Sequence, residues 1–297
     1  MTGSGVARRD LGRRLAGVRK AAGYTQEQLA VAIGYSRSTV SNAEIGHPDI
    51  ALEFWARCDR VLKTGRSFAR SFDQVRSAER RQAAGVPEDV VRHLASRGVH
   101  QFLDIGTGIP VPGSTHEIAQ EADPRSRVVY VDNDSMVLAH ARALLASGPE
   151  GSCDYLDADL RDTGYLLRAA SRTLDFSQPV AVLLLAVLHL IPDAGNPGGL
   201  VTELASALAP ASYLAISHMT ADFAPGPVAA AAAAYNAAAA VPVTARTHAQ
   251  VTALFGGLSL IAPGVVPITA WRPDIADALP QPADLYGGVA RTAARRR

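Results

Sequence analysis

Three aspartates stand at the ends of successive apolar runs. Asp104 lies in Phe102-Leu103-Asp104-Ile105-Gly106-Thr107-Gly108. Asp132 closes Val128 to Val131 and is followed by Asn133 and Asp134. The third run ends in Asp157-Ala158-Asp159-Leu160. A carboxylate at the tip of a second parallel strand is the expected partner of two ribose hydroxyls. One at the tip of the third can accept from an adenine amino group. Gly106 and Gly108 let the backbone approach a ligand where a Cβ would clash. A dinucleotide loop would continue Gly-x-Gly-x-x-Gly and lay a pyrophosphate on a helix N-terminus. Here Pro110, Val111 and Pro112 break that spacing. Taken singly, each aspartate is better read as a helix N-cap. In order along a sheet, with no basic group beside them for a phosphate, they favour an uncharged nucleoside. S-adenosylmethionine is such a ligand, and its sulfonium and amino groups suit an acidic mouth.

Two histidines follow apolar runs farther on. His189 closes the run Val180–Leu188, and His218 with Thr220 ends the fifth run. Imidazole titrates near neutrality, so either could take a proton from an attacking acceptor. The favoured reading is that both are structural or shelve the cofactor. Methyl transfer needs chiefly in-line positioning of the nucleophile, so no catalytic residue follows from the sequence. His116, after the proline loop, could line the pocket mouth. Trp271 and Tyr286 could be core or acceptor wall, with core favoured.

A different chemistry is written near the N-terminus, in residues 25–46, TQEQLAVAIGYSRSTVSNAEIG. Thr25 with Gln28 forms a capping box, Gly34 supplies a tight turn, and Ser36 caps a second short helix. That helix presents small polar side chains of the kind that reach base edges in a major groove. The alternative is a small helical adaptor that binds no DNA. Through residue 83 the chain carries 15 Lys+Arg against 8 Asp+Glu, although the whole chain is only +1. A basic head on an acidic body suits a polyanionic partner; a solvated arginine-rich surface is the other reading.

The elements that must position these residues fall into two grammars. Residues 8–64 read as four short helices, the first over Ala7–Ala22 and the fourth starting near Asp49. Residues 65–84 are polar and arginine-rich with a weak helical period through Phe68, Phe72 and Val75, read as a linker helix ending at Gly85-Val86-Pro87. From residue 88, helices alternate with apolar runs at Gln101–Ile105, Arg127–Val131, Asp154–Ala158, Val180–Leu188 and Tyr213–Ser217. Continuous apolarity suits parallel strands buried on both faces, and the alternation indicates a doubly wound α/β sheet. Ala229–Ala240 is an alanine helix by propensity. The expected organisation is an all-α helix-turn-helix domain over 1–64, a linker over 65–87 and an α/β doubly wound domain over 88–297. At 297 residues two domains are the natural division. Two cysteines, Cys58 and Cys153, without metal-ligand spacing argue against disulfides and a zinc site. No signal-like segment opens the chain, and its longest apolar run is far short of the ~20 residues that span a bilayer. A cytoplasmic protein with no membrane partner is expected.

Two family resemblances sharpen this. Residues 8–64 resemble the lambda-repressor-like (XRE) helix-turn-helix family, including Arg19 and Glu44 at the positions of its buried ion pair. The resemblance implies that Gln26 contacts a phosphate, that Arg37, Ser38 and Asn42 face base edges, and that Thr39 and Ser41 lie near the DNA backbone. Ile45 stands where a polar residue is more usual. Residues from about 88 resemble the actinobacterial S-adenosylmethionine-dependent methyltransferase family first described as DUF574. The resemblance lies in QFLDIGTGIP, RVVYVDND, VLAHARALL, DADLRD, LDFSQPVAVLLLAVLHLIPD, SYLAISHMT and YGGVAR. It implies a class I, Rossmann-like methyltransferase fold. Asp104, Gly106, Thr107 and Gly108 would border the methionine part of S-adenosylmethionine, Asp132 and Asn133 would hold its ribose, and Asp159 with Leu160 would flank adenine. The family's usual LGGK-D-N-type segment before the first strand has no counterpart here; the helix-turn-helix and linker stand in its place. The combined expectation is a DNA-binding transcriptional regulator with a cofactor-binding domain, acting as a homodimer on double-stranded DNA. An active methyltransferase targeted by its helix-turn-helix is the alternative.

Overall fold

The computed structural model describes residues 3–47, 50–72, 86–108, 113–134, 137, 150–238, 242–271 and 284–293. The helix start expected at Asp49, the body of the linker at 73–85 and the proline loop at 109–112 lie outside the described residues. The chain divides into two compact units, Met1–Arg80 with Ala233–Pro242, and Arg81–Ala232 with Val243–Arg297.

The first unit is built on α1 (Gly3–Ala21), α2 (Gln26–Ile33), α3 (Arg37–Ile45) and α4 (Leu52–Leu62). Its helix starts are fixed locally. Thr25 Oγ1 accepts from the Gln28 amide at 3.1 Å while Gln28 Oε1 accepts from the Thr25 amide at 2.8 Å. Ser36 Oγ accepts from the Thr39 amide at 3.1 Å. Each such cap stabilises its helix by about 1 kcal/mol. α1 crosses the end of α3 so closely that a Cβ on Gly12 would meet the Glu44 carbonyl oxygen at 2.5 Å. Leu15, Leu29, Val40 and Phe54 are fully buried where the helices meet. A helical stretch at 67–72 belongs to the same core: Phe68 and Phe72 are buried, and Phe72 stacks on Trp55 at 5.6 Å. Its first turn is capped by the buried Asp59 carboxylate, which accepts from the amides of Phe68 at 2.9 Å and Ala69 at 2.8 Å. The stretch read as the beginning of a linker is thus a packed part of the helical core. Arg70 and Ser71 between its two phenylalanines masked that in the sequence.

The second unit runs α5 (Val86–Ser96), β1 (Gln101–Ile105), α6 (Thr115–Ala122), β2 (Arg127–Asp132), β3 (Ser152–Asp157), α7 (Thr163–Ala170), β4 (Ala181–Leu185), α8 (Pro197–Ser206) and β5 (Tyr213–Met219). α9 (Pro225–Ala238), α10 (His248–Ala253), β6 (Ser259–Leu260), β7 (Val266–Pro267) and β8 (Leu285–Arg291) follow. The sheet order is β3-β2-β1-β4-β5-β8-β6, with β7 also pairing β8. β1 to β5 are parallel, and β8 enters antiparallel beside β5. Alternate residues serve opposite layers. Leu103, Val129, Val182 and Leu184 pack on one face, and Phe102, Val128, Ala181 and Leu183 on the other. That double burial is why the strands read as unbroken apolar runs. The architecture is the class I methyltransferase arrangement preceded by an all-α helix-turn-helix region.

One strand is shorter than its apolarity suggests. β4 stops at Leu185, because Ala186 turns to φ +56°. Its amide donates to Ser217 Oγ at 2.9 Å. Val187 and Leu188 stay buried without being strand, and Leu188–Leu190 is a 3₁₀ turn. His189 therefore sits on a turn beyond β4 rather than closing it. Among the described residues no helix is long and apolar enough to cross a membrane.

Candidate functional site

The carboxyl ends of β1, β2 and β3 bring most of the expected cofactor residues to one rim. Gly106 leaves β1 at φ +75°, and its amide reaches across to the Val131 carbonyl at 2.8 Å. A Cβ at Gly106 would lie 2.6 Å from Val187 Cγ2, so the turn after β4 closes directly on the turn after β1. Gly108 donates its amide to Asp132 Oδ2 at 3.0 Å, and Asp134 donates to Asp132 Oδ1 at 3.0 Å. The buried Asp132 carboxylate thus organises the turns after β1 and β2 together. Gly106 and Thr107 are half-buried and Asn133 is exposed.

The third strand tip is built differently from the expectation. Asn133 Nδ2 donates to Asp159 Oδ2 at 3.1 Å. Arg161 closes on the same carboxylate through Nε to Oδ1 at 2.9 Å and a terminal guanidinium nitrogen to Oδ2 at 2.5 Å. The Arg161 guanidinium holds the Asp159 carboxyl down at about 2. A basic group does stand at the rim, then, but its charge is taken up by Asp159, so the tip offers acceptors rather than a phosphate anchor. Two expected residues face inward. Asp104 is buried, with Oδ2 accepting from Thr115 Oγ1 at 2.7 Å, where it supports the start of α6. Leu160 is buried in the sheet core, in one cluster with Ile105 and Leu166. His116 is also interior, with its amide and Nδ1 on the Tyr130 hydroxyl at 2.9 and 3.0 Å. Trp271 and Tyr286 are both buried.

Beyond β4 the decisive side chain is Arg246, which sequence reasoning missed. Only 3% of it is exposed. It donates to the carbonyls of Leu188 at 3.2 Å and Ile191 at 2.9 Å, to Asp193 Oδ1 at 2.6 Å, and to His218 Nε2 at 2.7 Å. A guanidinium can only donate, so His218 Nε2 accepts. The ring proton is then on Nδ1, aimed at the Met219 carbonyl 2.8 Å away. Burial and the neighbouring Arg246 charge push the His218 pKa down to about 4. With both ring nitrogens engaged within the fold, the geometry of His218 suits the favoured structural reading rather than that of a base. His189 meets it edge-on at 5.9 Å, and its carbonyl is held by the Thr244 amide at 2.8 Å. No sequence signal marks Arg246: its partners lie 28 to 58 residues away.

In the first unit, Arg19 and Glu44 form the expected pair, buried and two-pronged: Nε to Oε1 at 2.5 Å and a terminal nitrogen to Oε2 at 3.1 Å. Arg19 also donates to the Tyr24 carbonyl at 2.7 Å. Gln26 turns its amide to Glu44 Oε2 at 2.8 Å. One of its two side-chain N–H donors is therefore engaged within the fold. Arg37, Ser38 and Asn42 are exposed along α3, and Thr39 is half-buried with its hydroxyl on Ser36 Oγ at 2.8 Å. Arg37, Lys20, Gln26 and the Gly23–Thr25 turn line an open groove of about 670 Å³.

The S-adenosyl methyltransferase family matches residues 59–293, and a helix-turn-helix domain matches residues 10–70. The first match takes in 59–100, so part of the sequence before β1 is the family's own. No curated protein matches the chain. The 1.80 Å crystal structure of a DUF574 family protein from Streptomyces avermitilis MA-4680 is 40% identical, with a TM-score of 0.66, over 77% of this chain and 89% of that one. A Thermobifida fusca YX protein solved at 1.95 Å is 30% identical, with the same TM-score, over 90% of this chain and 93% of its own. An O-methyltransferase family protein from Burkholderia thailandensis shares the fold, at a TM-score of 0.50 and 12% identity over 96% of each chain. The chain belongs to the S-adenosyl methyltransferase family, carries a helix-turn-helix domain at its head, and takes S-adenosylmethionine as its cofactor.

Proposed function

We propose that this protein is a DNA-binding transcriptional regulator whose second domain binds S-adenosylmethionine. The observation that carries the reading is α3, which presents Arg37, Ser38 and Asn42 to solvent on a helix anchored by the buried Arg19–Glu44 pair. An arginine and an asparagine on such a face suit guanine and adenine edges of double-stranded DNA. Backbone amides at the start of α2, Thr39 and exposed Lys20 suit phosphates. Helix-turn-helix proteins commonly read two half-sites as dimers, so a homodimer acting in the cytoplasm is part of the proposal.

In the second domain, Gly106, Thr107 and Gly108 would border the methionine part, Asp132 and Asn133 the ribose, and Asp159 the adenine. The donor set fits: carboxylates and backbone groups meet hydroxyl and amino donors, and the Arg161 guanidinium at the rim is neutralised by Asp159. Bound there, the cofactor supplies an electrophilic methyl on sulfur. The residues of the chain bind it, orient it and exclude water. Arg246 fixes the turn after β4 that borders the methyl in this fold class, with His189 on it. In-line positioning, not proton removal, is the main requirement.

A second reading, an active methyltransferase that the helix-turn-helix targets, is favoured by the extent of the family match, which begins well before β1. Selection of bound duplexes from a random library, followed by operator titration with and without S-adenosylmethionine and S-adenosylhomocysteine, tests the first reading. A sequence-preferring site whose affinity changes about tenfold or more with cofactor supports it, and no preferred site sinks it. Transfer of labelled methyl to a component of a cell extract would establish the second.

A further inference from the structure

Asp159 is surrounded by donors on every side. Oδ1 accepts from the Arg161 amide at 2.8 Å and Arg161 Nε at 2.9 Å, and Oδ2 accepts from a terminal Arg161 nitrogen at 2.5 Å and Asn133 Nδ2 at 3.1 Å. A carboxylate has about four lone-pair sites, so each is filled. The four donors are not equivalent. Three belong to Arg161, two residues along the same loop, and two of those are charge-assisted. The fourth is a neutral, longer bond from an exposed side chain on another strand tip. Only that one can be exchanged without unmaking the loop.

The same Asp-x-Arg clamp recurs at Asp123 and Arg125, where Asp123 accepts from the Arg125 amide, Nε and a terminal nitrogen at 3.0, 3.2 and 3.1 Å. It lies in the turn leading into β2, at the opposite end of the sheet, with His100 as its further partner at 3.0 Å. The clamp is a local device of this chain. What distinguishes Asp159 is that its exchangeable site opens at the carboxyl rim, beside the tip of β2.

We propose that Arg161 sets which nucleobase the rim accepts, by holding the Asp159 carboxylate in one orientation, with Oδ2 placed to trade Asn133 for the exocyclic amine of a 6-amino purine. This rests on the reading that the rim holds the adenosyl end of the cofactor. An amine replaces an amide N–H donor for donor. A 6-oxo purine would bring a carbonyl oxygen against the carboxylate with no proton between them, a mismatch that a site built for a donor rejects strongly. Arg161 acts through Asp159 and is a positioning residue.

The test is equilibrium binding of S-adenosylhomocysteine and its deaminated analogue, S-inosylhomocysteine, to the full chain and to Arg161→Gln, Arg161→Lys and Asp159→Asn. The unaltered protein should prefer the adenine form by on the order of 100-fold or more. Arg161→Gln should cut that ratio at least about tenfold. Asp159→Asn should do the same, because an amide can turn to donate. Arg161→Lys keeps the charge without the fork and should fall between; it also decides the matter if the glutamine variant fails to fold. Equal weakening of both ligands, with the ratio kept, would make Arg161 merely structural and overturn the proposal. So would an unaltered protein that binds both alike, although the cofactor reading would survive. Binding of neither ligand would instead remove the cofactor reading itself.

Discussion

Val187 occupies the space that a side chain on residue 106 would need: a Cβ there would stand 2.6 Å from Val187 Cγ2 and 2.8 Å from its Cβ. The turn after β1 and the turn after β4 are therefore packed as one piece. Gly106 also holds φ +75°. Gly106→Ala should cost about 1–2 kcal/mol for the left-handed backbone and about 1–3 kcal/mol more for overpacking, measured by urea unfolding. Val187→Ala in the same chain should return only part of the steric cost, because the Cβ of residue 187 still stands 2.8 Å away. A Gly106→Ala protein as stable as the parent would show that the two turns are not locked together.

The Arg19–Glu44 pair gives a second prediction. Both side chains are less than a tenth exposed, so removing one leaves the other as an unpaired buried charge. Glu44→Ala should cost about 3–5 kcal/mol, whereas the double change Arg19→Met with Glu44→Leu should lie much closer to the parent. Trp55 sits in the core of the first unit and Trp271 in that of the second. Unfolding followed by Trp55 fluorescence in a Trp271→Phe background therefore reports the helical unit alone. A double variant as unstable as the single one would contradict the account.

What was legible in the sequence was local. Thr25, Gln28, Gly34 and Ser36 announce their caps within four residues, and the apolar runs announce β1 to β5. What was hidden depends on partners distant in sequence. Asp59 reads as one more surface acid of α4, yet it caps a stretch ten residues on. Arg246 reads as a loop arginine, yet it is the buried clasp of the turn after β4. The strand end at Leu185 was invisible because Val187 and Leu188 stay buried after the chain has turned. The antiparallel β8 was quoted as a motif, Tyr286-Gly287-Gly288-Val289-Ala290-Arg291, but its two glycines lower strand propensity. Among the rim residues, Asp132 and Asn133 could be placed by position, whereas the inward turns of Asp104 and Leu160 depend on Thr115 and the sheet core.

His218 carries a pH dependence. Its folded-state value is pushed down to about 4, while an exposed histidine titrates near 6.5. Between those values the unfolded chain binds the extra proton and the folded one does not, so stability falls as pH drops. The contribution is fully present above about pH 6.5 and is lost by about pH 4, on the order of 3 kcal/mol in all. Arg246 and Asp193 are the charged groups facing it, and His189 is the neighbouring ring. Urea midpoints from pH 7.5 to 4.5 should decline more steeply for the parent than for His218→Gln. Parallel curves would mean that His218 protonates freely in the folded protein.

Asn42 and Lys20 separate specific from non-specific DNA contact. Asn42 is exposed on α3, and Lys20 lies beside the start of α2 on the groove that Arg37 also lines. Asn42→Ala should weaken the selected operator by about 1–3 kcal/mol and relax preference at one base pair, leaving unrelated duplex binding unchanged. Lys20→Ala should weaken every duplex alike and lower the salt slope by about one. Titrations at two or more salt concentrations distinguish the two. If Asn42→Ala weakened all sequences equally, α3 would be lying on the phosphates rather than in the groove, and the assignment of Arg37 and Ser38 to base edges would fall with it.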